Sequence, residues 1–516
     1  MLYLSFIWHM HQPYYQDLFS KKAYLPWVRL HGTKDYLDMV AILESYPNIH
    51  QNFNLVPSLL EQLELYVSQD CQDRFLELSY KRVEDLNSKE KRFILEHFFL
   101  INERNVIAIY PRYYELFLKN KAKKEFSEQD YLDLQVWFNL SWIDPLFLEK
   151  DEDLSRLVSK ARYFSQQDKI IVLEKQKGII RQIVSTYKNY QDKGQIEISV
   201  SPFYHPILPL IYDLRSAKAA DFKITLPNTR FKFRDDCRWH ISKAVEFYKD
   251  RFGSKPLGMW PSEQAVSNQI IPLLIEQDLK WIVTDEGILF RTLKKERNAV
   301  DLYKTYTFEA KNGNLTILFR DRYLSDLIGF VYHNYSAQMA VLDFVNHLSN
   351  ILNYFNKKNC YVVIAMDGEN AWEYYRNDGR DFLNLLYERL SEAKDIKVVT
   401  VKEFLQLNQV RGKITKIKAG SWINSNFNKW VGHPSKNKAW QLISQARQIL
   451  EKKRNEIPPN KIELIYKQMY ILEGSDWFWW YGEKNKMFDE LFRLHLKNFY
   501  SLIDEKSEVD LNKPLE

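Results

Sequence analysis

Cysteine is nearly absent. Cys71, Cys237 and Cys360 are the three in a chain of 516 residues. They are scattered, with no paired spacing. That argues against a disulfide framework and a cysteine-based zinc site, and suits a reducing compartment. An excess of one charge is also missing. Lys and Arg number 73 against 67 Asp and Glu, so the formal net charge is +6. Spread over this much surface, that is a weak field and no footprint for nucleic acid. No run reaches the ~18 apolar residues of a membrane span. The opening MLYLSFIWHMH lacks the basic start and small-residue cleavage site of a signal peptide. A first core strand and a cytoplasmic location are expected instead. No Gly-rich phosphate loop, nucleotide motif or amphipathic membrane helix occurs, so no organic cofactor is expected. Internal repeats, low-complexity tracts and heptads are missing as well.

What is there is an ordinary globular balance, 45% hydrophobic and 27% charged, which excludes a disordered chain. The length allows two to four domains, or one large barrel with attachments. The unusual quantity is the aromatic fraction, 15%, with 14 Trp and 32 Tyr. Two readings stand: rings that stack on flat sugar faces, and a large aromatic core.

Short apolar runs recur along the chain. Strands are expected at Tyr3–Trp8, His50–Leu55, Gln195–Val200, Leu257–Trp260, Trp281–Thr284, Leu315–Phe319, Tyr361–Met366 and Lys397–Thr400. Helical patterns separate most of them, as at Asp35–Ser45, Asp235–Arg251 and Ala337–Phe355. That alternation argues for parallel βα units closed as a barrel. Residues 60 to 190 read as helix after helix, an insertion between the second and third strands. From about residue 410, Ser435–Lys453, Pro459–Leu472 and Lys486–Leu502 read as a helical bundle. The expected division is a catalytic barrel over 1–408 and a helical domain over 409–516 that reaches the active-site cleft. The polar stretch Asp504–Glu516 is expected to fray.

In a βα barrel the chemistry sits just past the strands. His9-Met10-His11-Gln12 follows the first strand, and Ser201 to His205 follow the third. Pro261-Ser262-Glu263, Asp285-Glu286 and Asp367-Gly368-Glu369-Asn370 follow later ones. Glu263 and Asp367 each come directly after a strongly apolar strand. A pair of carboxylates on one rim suits glycosidic bond cleavage, one attacking or activating water and the other protonating the leaving oxygen. Each also has a structural reading. Glu263 could be the N-terminal acid of a helix over Gln264–Ile275, and Asp367 a turn former before Gly368. His9 and His11, two apart, could face one side and hold a metal. No HxxxH or His-x-Asp spacing supports that, and no metal site is expected. Glu197, an acid inside an apolar strand, has no assigned role.

Taken together these segments resemble glycoside hydrolase family 57, an α-glucan-active family. The strings are WHMHQPYY (8–15), GQIEISVSPFYHPILPL (194–210), GMWPSE (258–263), MDGENAWEYY (366–375) and EGSDWFWWYG (473–482). LPWVRLHGTKDY (25–36), FRDRYLSDLIGF (319–330) and SWINSNFNKWVGHPSKNKAW (421–440) fit the same group. The likeness runs to the amylopullulanase and α-amylase type rather than to branching enzymes. It implies an incomplete (β/α)7 barrel followed by a helical domain, and a retaining mechanism. It also implies Glu263 as nucleophile and Asp367 as general acid/base. His11 and His205 would sit at the subsite of the cleaved sugar, with His9 and Gln12 beside them. Trp260 and Trp372 flank the carboxylates and would shield them from water. Asp476 and Trp477 are the expected binding residues of the C-terminal segment. Gln264 stands where many relatives have Gly, which bears on substrate preference rather than on chemistry.

The expected activity is hydrolysis of α-1,4 bonds of starch or glycogen, with α-1,6 bonds as a further candidate. Alternatives are a 4-α-glucanotransferase using the same residues, a non-catalytic glucan-binding protein, and a metal-dependent deacetylase or mannosidase. The expected partner is an α-glucan, with no nucleic acid and no membrane.

Overall fold

The computed structural model describes residues 1–68, 70–407 and 411–515. The first strand runs Leu2–Met10. It pairs in parallel with Cys360–Asp367 on one side and Gln51–Leu55 on the other. Ile196–Ser199 continues that sheet, and Ile396–Val398 pairs with Leu2–Leu4. A second sheet has the order Arg411–Ile414, Thr305–Ala310, Gly313–Arg320, Trp281–Asp285, Gly258–Met259. Only its pair Thr305–Ala310 with Gly313–Arg320 is antiparallel. The sheets meet on both sides. Val200 bridges Met259 in parallel, and the Asp321 N–H donates to the Val363 carbonyl at 2.8 Å.

Side-chain alternation shows why these runs read as continuously apolar. Tyr361, Val363 and Ala365 join Ile7, Trp260, Trp281, Val283 and Leu318 in one buried cluster drawn from both sheets. Their neighbours Val362, Ile364 and Met366 face the opposite way, into the larger core under the helices. A strand buried on both faces has no polar face to display. Glu197 lies within this arrangement. Its Oε1 accepts from Trp281 Nε1 at 2.8 Å, and its Oε2 from the Lys402 N–H at 2.6 Å. It therefore caps the helix Val401–Gln406 from another strand.

Gly258 is where backbone approach is closest. A Cβ there would lie 2.0 Å from Trp281 Cε2. We expect Gly258→Ala to cost about 1–3 kcal/mol through overpacking, measured as a lowered melting temperature.

Residues 57 to 192 are mostly helical, ending in the long helix Gln166–Asp192. The helices Pro434–Lys453, Pro459–Leu472 and Lys486–Leu502 pack on one another. The boundary expected between 408 and 409 lies outside the described residues. Two expectations need correction. The tail does not fray through its described length: Leu511 and Leu515 are buried, and the Leu511 carbonyl accepts from Arg493 Nη1 at 2.9 Å. Its two leucines, set in polar sequence, cover the last helix. No helix spans Gln264–Ile275 either; a 3-10 turn, Ser262–Gln264, is followed later by the helix Ile271–Glu276. Among the described residues no helix is long and apolar enough to cross a membrane.

Candidate active site

The strand register brings the first polar groups together. His9 and Asp367 are direct partners on adjacent strands. Both stand at the C-terminal ends, where the apolar pattern stops and side chains can turn to solvent. Asp367 is partly exposed, and Asn370 Nδ2 lies 3.5 Å from its Oδ2. Burial raises its pKa above the usual carboxylate value, while His11 and Arg320 pull against that.

Glu263 sits on a strained turn. Its φ is 55° and that of Gln264 is 51°, both in the left-handed region that non-glycine residues avoid. Thr284 Oγ1 donates to the Gln264 carbonyl at 2.8 Å and holds the turn. Glu263 Oε2 accepts from Trp422 Nε1 at 2.7 Å, and its carbonyl accepts from the Trp422 N–H at 3.1 Å. Trp422 is itself fixed between Arg320, 4.9 Å from its ring, and the edge-on Trp260. Burial pushes the Glu263 carboxyl up to about 8, the Trp422 bond opposes that, and the charges of Asp367 and Asp476 add to it. The two carboxyls are thus electrostatically linked, the charge of Asp367 adding to the rise at Glu263. The Trp422 donor favours the ionised form of Glu263.

The histidines form a stack. His11 and His205 have ring centroids 3.9 Å apart, and His9 lies 5.1 Å from His205. His9 Nδ1 meets Asn54 Oδ1 at 2.6 Å, and its other flank stacks on Trp260 at 4.6 Å. Burial and its neighbour His11 depress His9 to about 3; burial and both neighbours push His205 far down, so both are neutral. His205 Nδ1 meets Ser475 Oγ at 3.0 Å. His11 Nε2 meets Asp476 Oδ1 at 3.0 Å, which brings the C-terminal segment to the rim. Gln12 is buried, with its amide 3.4 Å from Glu369 Oε1. Glu369 also accepts from the His11 N–H at 3.1 Å.

The structure separates the expected residues into two groups. Glu263, Asp367, His11 and Asp476 are partly exposed on one rim, with His205 behind them. Trp260, Trp372 and Trp477 are at most 1% exposed and belong to the core. Trp372 Nε1 donates to the Gly368 carbonyl at 2.7 Å and Trp477 Nε1 to the Ile471 carbonyl at 2.9 Å. Sugar stacking by Trp477 is thus corrected: its ring packs against His495. Trp372 and Trp260 support the carboxylate loops from behind. Asp285 is a helix cap, accepting from the Gly287 N–H at 2.8 Å and pairing with Arg320.

The sequence profile of Glycosyl hydrolase family 57 matches residues 5–418. The chain belongs to that family. Over 126 residues it is 27% identical to Alpha-amylase 1 of Dictyoglomus thermophilum, a stretch covering 24% of this chain and 15% of that relative. Its fold is similar to three crystal structures. The GH57-type branching enzyme from Pyrococcus horikoshii has a TM-score of 0.65 at 16% identity, covering 97% of this chain and 89% of its own. The α-amylase AmyC from Thermotoga maritima has 0.60 at 14%, covering 97% and 92%. The 4-α-glucanotransferase from Thermococcus litoralis has 0.55 at 14%, covering 97% and 59%.

Within this family 57 chain, sequence reasoning missed Trp422, Asn54, Glu369 and Ser475 as members of the site. Trp422 carries a testable consequence. A hydrogen bond to a charged group is worth about 1.5–3 kcal/mol. Trp422→Phe should lower kcat/KM by about 10–100-fold. Losing a donor disfavours the ionised form, so Glu263 should ionise at higher pH. The acid limb of kcat/KM, set by ionisation of Glu263, should move up by about 1–2 pH units. A pH–rate profile of the variant checks both.

Proposed function

We propose that this protein is a retaining glycosidase acting on α-glucans through a covalent glycosyl-enzyme. In this reading Glu263 is the nucleophile and Asp367 the general acid/base, carried on an incomplete (β/α)7 barrel. The C-terminal helical part closes one side of the cleft through Asp476. The observation that carries the reading is that Glu263 and Asp367 stand partly exposed at the ends of strands from the two sheets, with Trp422 holding only Oε2 of Glu263. Oε1 is left for the anomeric carbon. When Glu263 becomes esterified its charge is lost, and its repulsion of the Asp367 carboxylate disappears. Asp367 can then accept a proton from water. The histidines His11 and His205 would bind sugar hydroxyls, the buried His205 in its neutral form.

Hydrolysis of α-1,4 bonds, with the amylopullulanase type extending it to α-1,6, is the activity we favour. A second reading, 4-α-glucanotransferase, uses the same intermediate with a sugar hydroxyl in place of water. The fold likeness to a glucanotransferase as well as an amylase keeps it in view. Incubation with maltoheptaose, amylose and pullulan distinguishes the two. Shorter products with new reducing ends support hydrolysis, and pullulan cleavage extends it to α-1,6 bonds. Longer and shorter products at constant reducing power support transfer. No change in any of the three would overturn the α-glucan reading.

A further inference from the structure

We propose that His11, His205 and Asp476 form a binding site for a divalent transition-metal ion of the zinc type, whose occupancy excludes the sugar at the cleaved bond. The exclusion rests on the α-glucan reading above; the ion site does not. Each of the three residues offers one ligand atom, and these atoms lie within 4.8 Å of one another. Tetrahedral zinc with bonds of about 2.1 Å holds its donors about 3.4 Å apart. Closing the set therefore asks for roughly 1 Å of side-chain movement.

Independent features point to a ligand. His205 is 1% exposed, yet its Nε2 has no hydrogen-bond partner. Its Nδ1 is engaged by Ser475 Oγ at 3.0 Å. With Nδ1 as the donor in that bond, Nε2 carries a lone pair, the form that binds a metal; such outer partners commonly fix metal-binding histidines. His205 is also held at a φ of 56°, a costly backbone state for a non-glycine residue, and its ring stacks on that of His11. Asp476 Oδ1 is already 3.0 Å from His11 Nε2. A carboxylate oxygen and two imidazole nitrogens thus lie within 4.8 Å of one another on the edge of the cleft. His9 is outside the set, because Asn54 occupies its Nδ1 and Trp260 covers its face.

The donor chemistry selects the ion. Two imidazoles with one carboxylate suit Zn²⁺, Co²⁺ or Ni²⁺, whereas Ca²⁺ and Mg²⁺ require oxygen ligands. Three protein ligands leave a position open toward the cleft. An ion there would occupy the groups that would otherwise meet sugar hydroxyls, so ion and glucan should compete.

The test is direct titration of the metal-free protein with Co²⁺, followed by visible absorption, with Zn²⁺ affinity measured against a chromophoric chelator. One Co²⁺ per chain is expected, displaced by Zn²⁺ and not by Mg²⁺ or Ca²⁺. Asp476→Asn and His205→Gln should each weaken Zn²⁺ by more than about 100-fold, and Ser475→Ala by about 10–100-fold. Asp476 is partly exposed, so its variant decides the matter if the buried His205 change unfolds the protein. No Co²⁺ spectrum, or unchanged Zn²⁺ affinity in a folded Asp476→Asn protein, overturns the site. Glu263→Gln protein then tests exclusion: saturating maltoheptaose should weaken Co²⁺ binding. Simultaneous binding of both overturns the exclusion. A protein that binds Co²⁺ but no glucan overturns the α-glucan reading and leaves the ion site standing.

Discussion

Replacing Glu263 by Gln is expected to lower turnover of α-glucans by about 10⁴-fold or more, some 5.5 kcal/mol of barrier. The substitution keeps volume and shape. The amide oxygen can still accept from Trp422 Nε1, now 2.7 Å from the carboxylate, so the strained turn should survive. The amide cannot form the glycosyl ester. Affinity for maltoheptaose should change little, because the sugar contacts proposed here come from His11, His205 and Asp476. The measurement is kcat by reducing-end assay beside calorimetric affinity. Residual turnover within about tenfold of wild type would remove Glu263 from the nucleophile's role. Equal loss of affinity and turnover would mean that the turn had collapsed.

The second large effect is expected at Asp367. Asp367→Asn should lower turnover of unactivated glucans by about 10²–10⁴-fold, the usual worth of a positioned proton donor. A glycosyl fluoride needs no proton on its leaving group. With that substrate the first step should be nearly normal and the second slow, giving a burst. Added azide, which needs no general base, should restore turnover. The charge argument adds a sign. Asp367 repels the ionised form of Glu263 and contributes to raising it to about 8. With a neutral Asn in place, Glu263 should ionise at lower pH, and the acid limb for the fluoride should move down. An acid limb that moves up, or a substrate-independent loss of rate, would contradict the assignment.

Much of this frame was legible because the strands are buried on both faces. Leu2–Met10 and Cys360–Asp367 read as unbroken apolar runs, and the titratable residues begin where those runs stop. Glu263 and Asp367 could therefore be named from position alone, and the family strings gave them roles. The antiparallel strand Thr305–Ala310 was missed, although Asn312-Gly313 after an alternating run is a hairpin signal. Trp422 was missed for another reason. It lies 159 residues from Glu263, and nothing local in SWINSNFNKW singles it out. The meeting of His11 with Asp476 spans 465 residues and shows no ligand spacing in the sequence. Richness in Trp misled in one respect. Trp477 lies in a string rich in aromatics beside Asp476, yet helical packing turns its ring inward while Asp476 reaches the rim.

The central claim is that Glu263 attacks the anomeric carbon with Asp367 as its proton partner. The most direct measurement is mass spectrometry of peptides after incubation with a fluorinated α-glucosyl fluoride, which forms the glycosyl-enzyme faster than it breaks down. One added sugar is expected, on the peptide that contains Glu263, and none in Glu263→Gln protein. An adduct on another carboxylate, or steady consumption of the reagent with no adduct at any time, would contradict it.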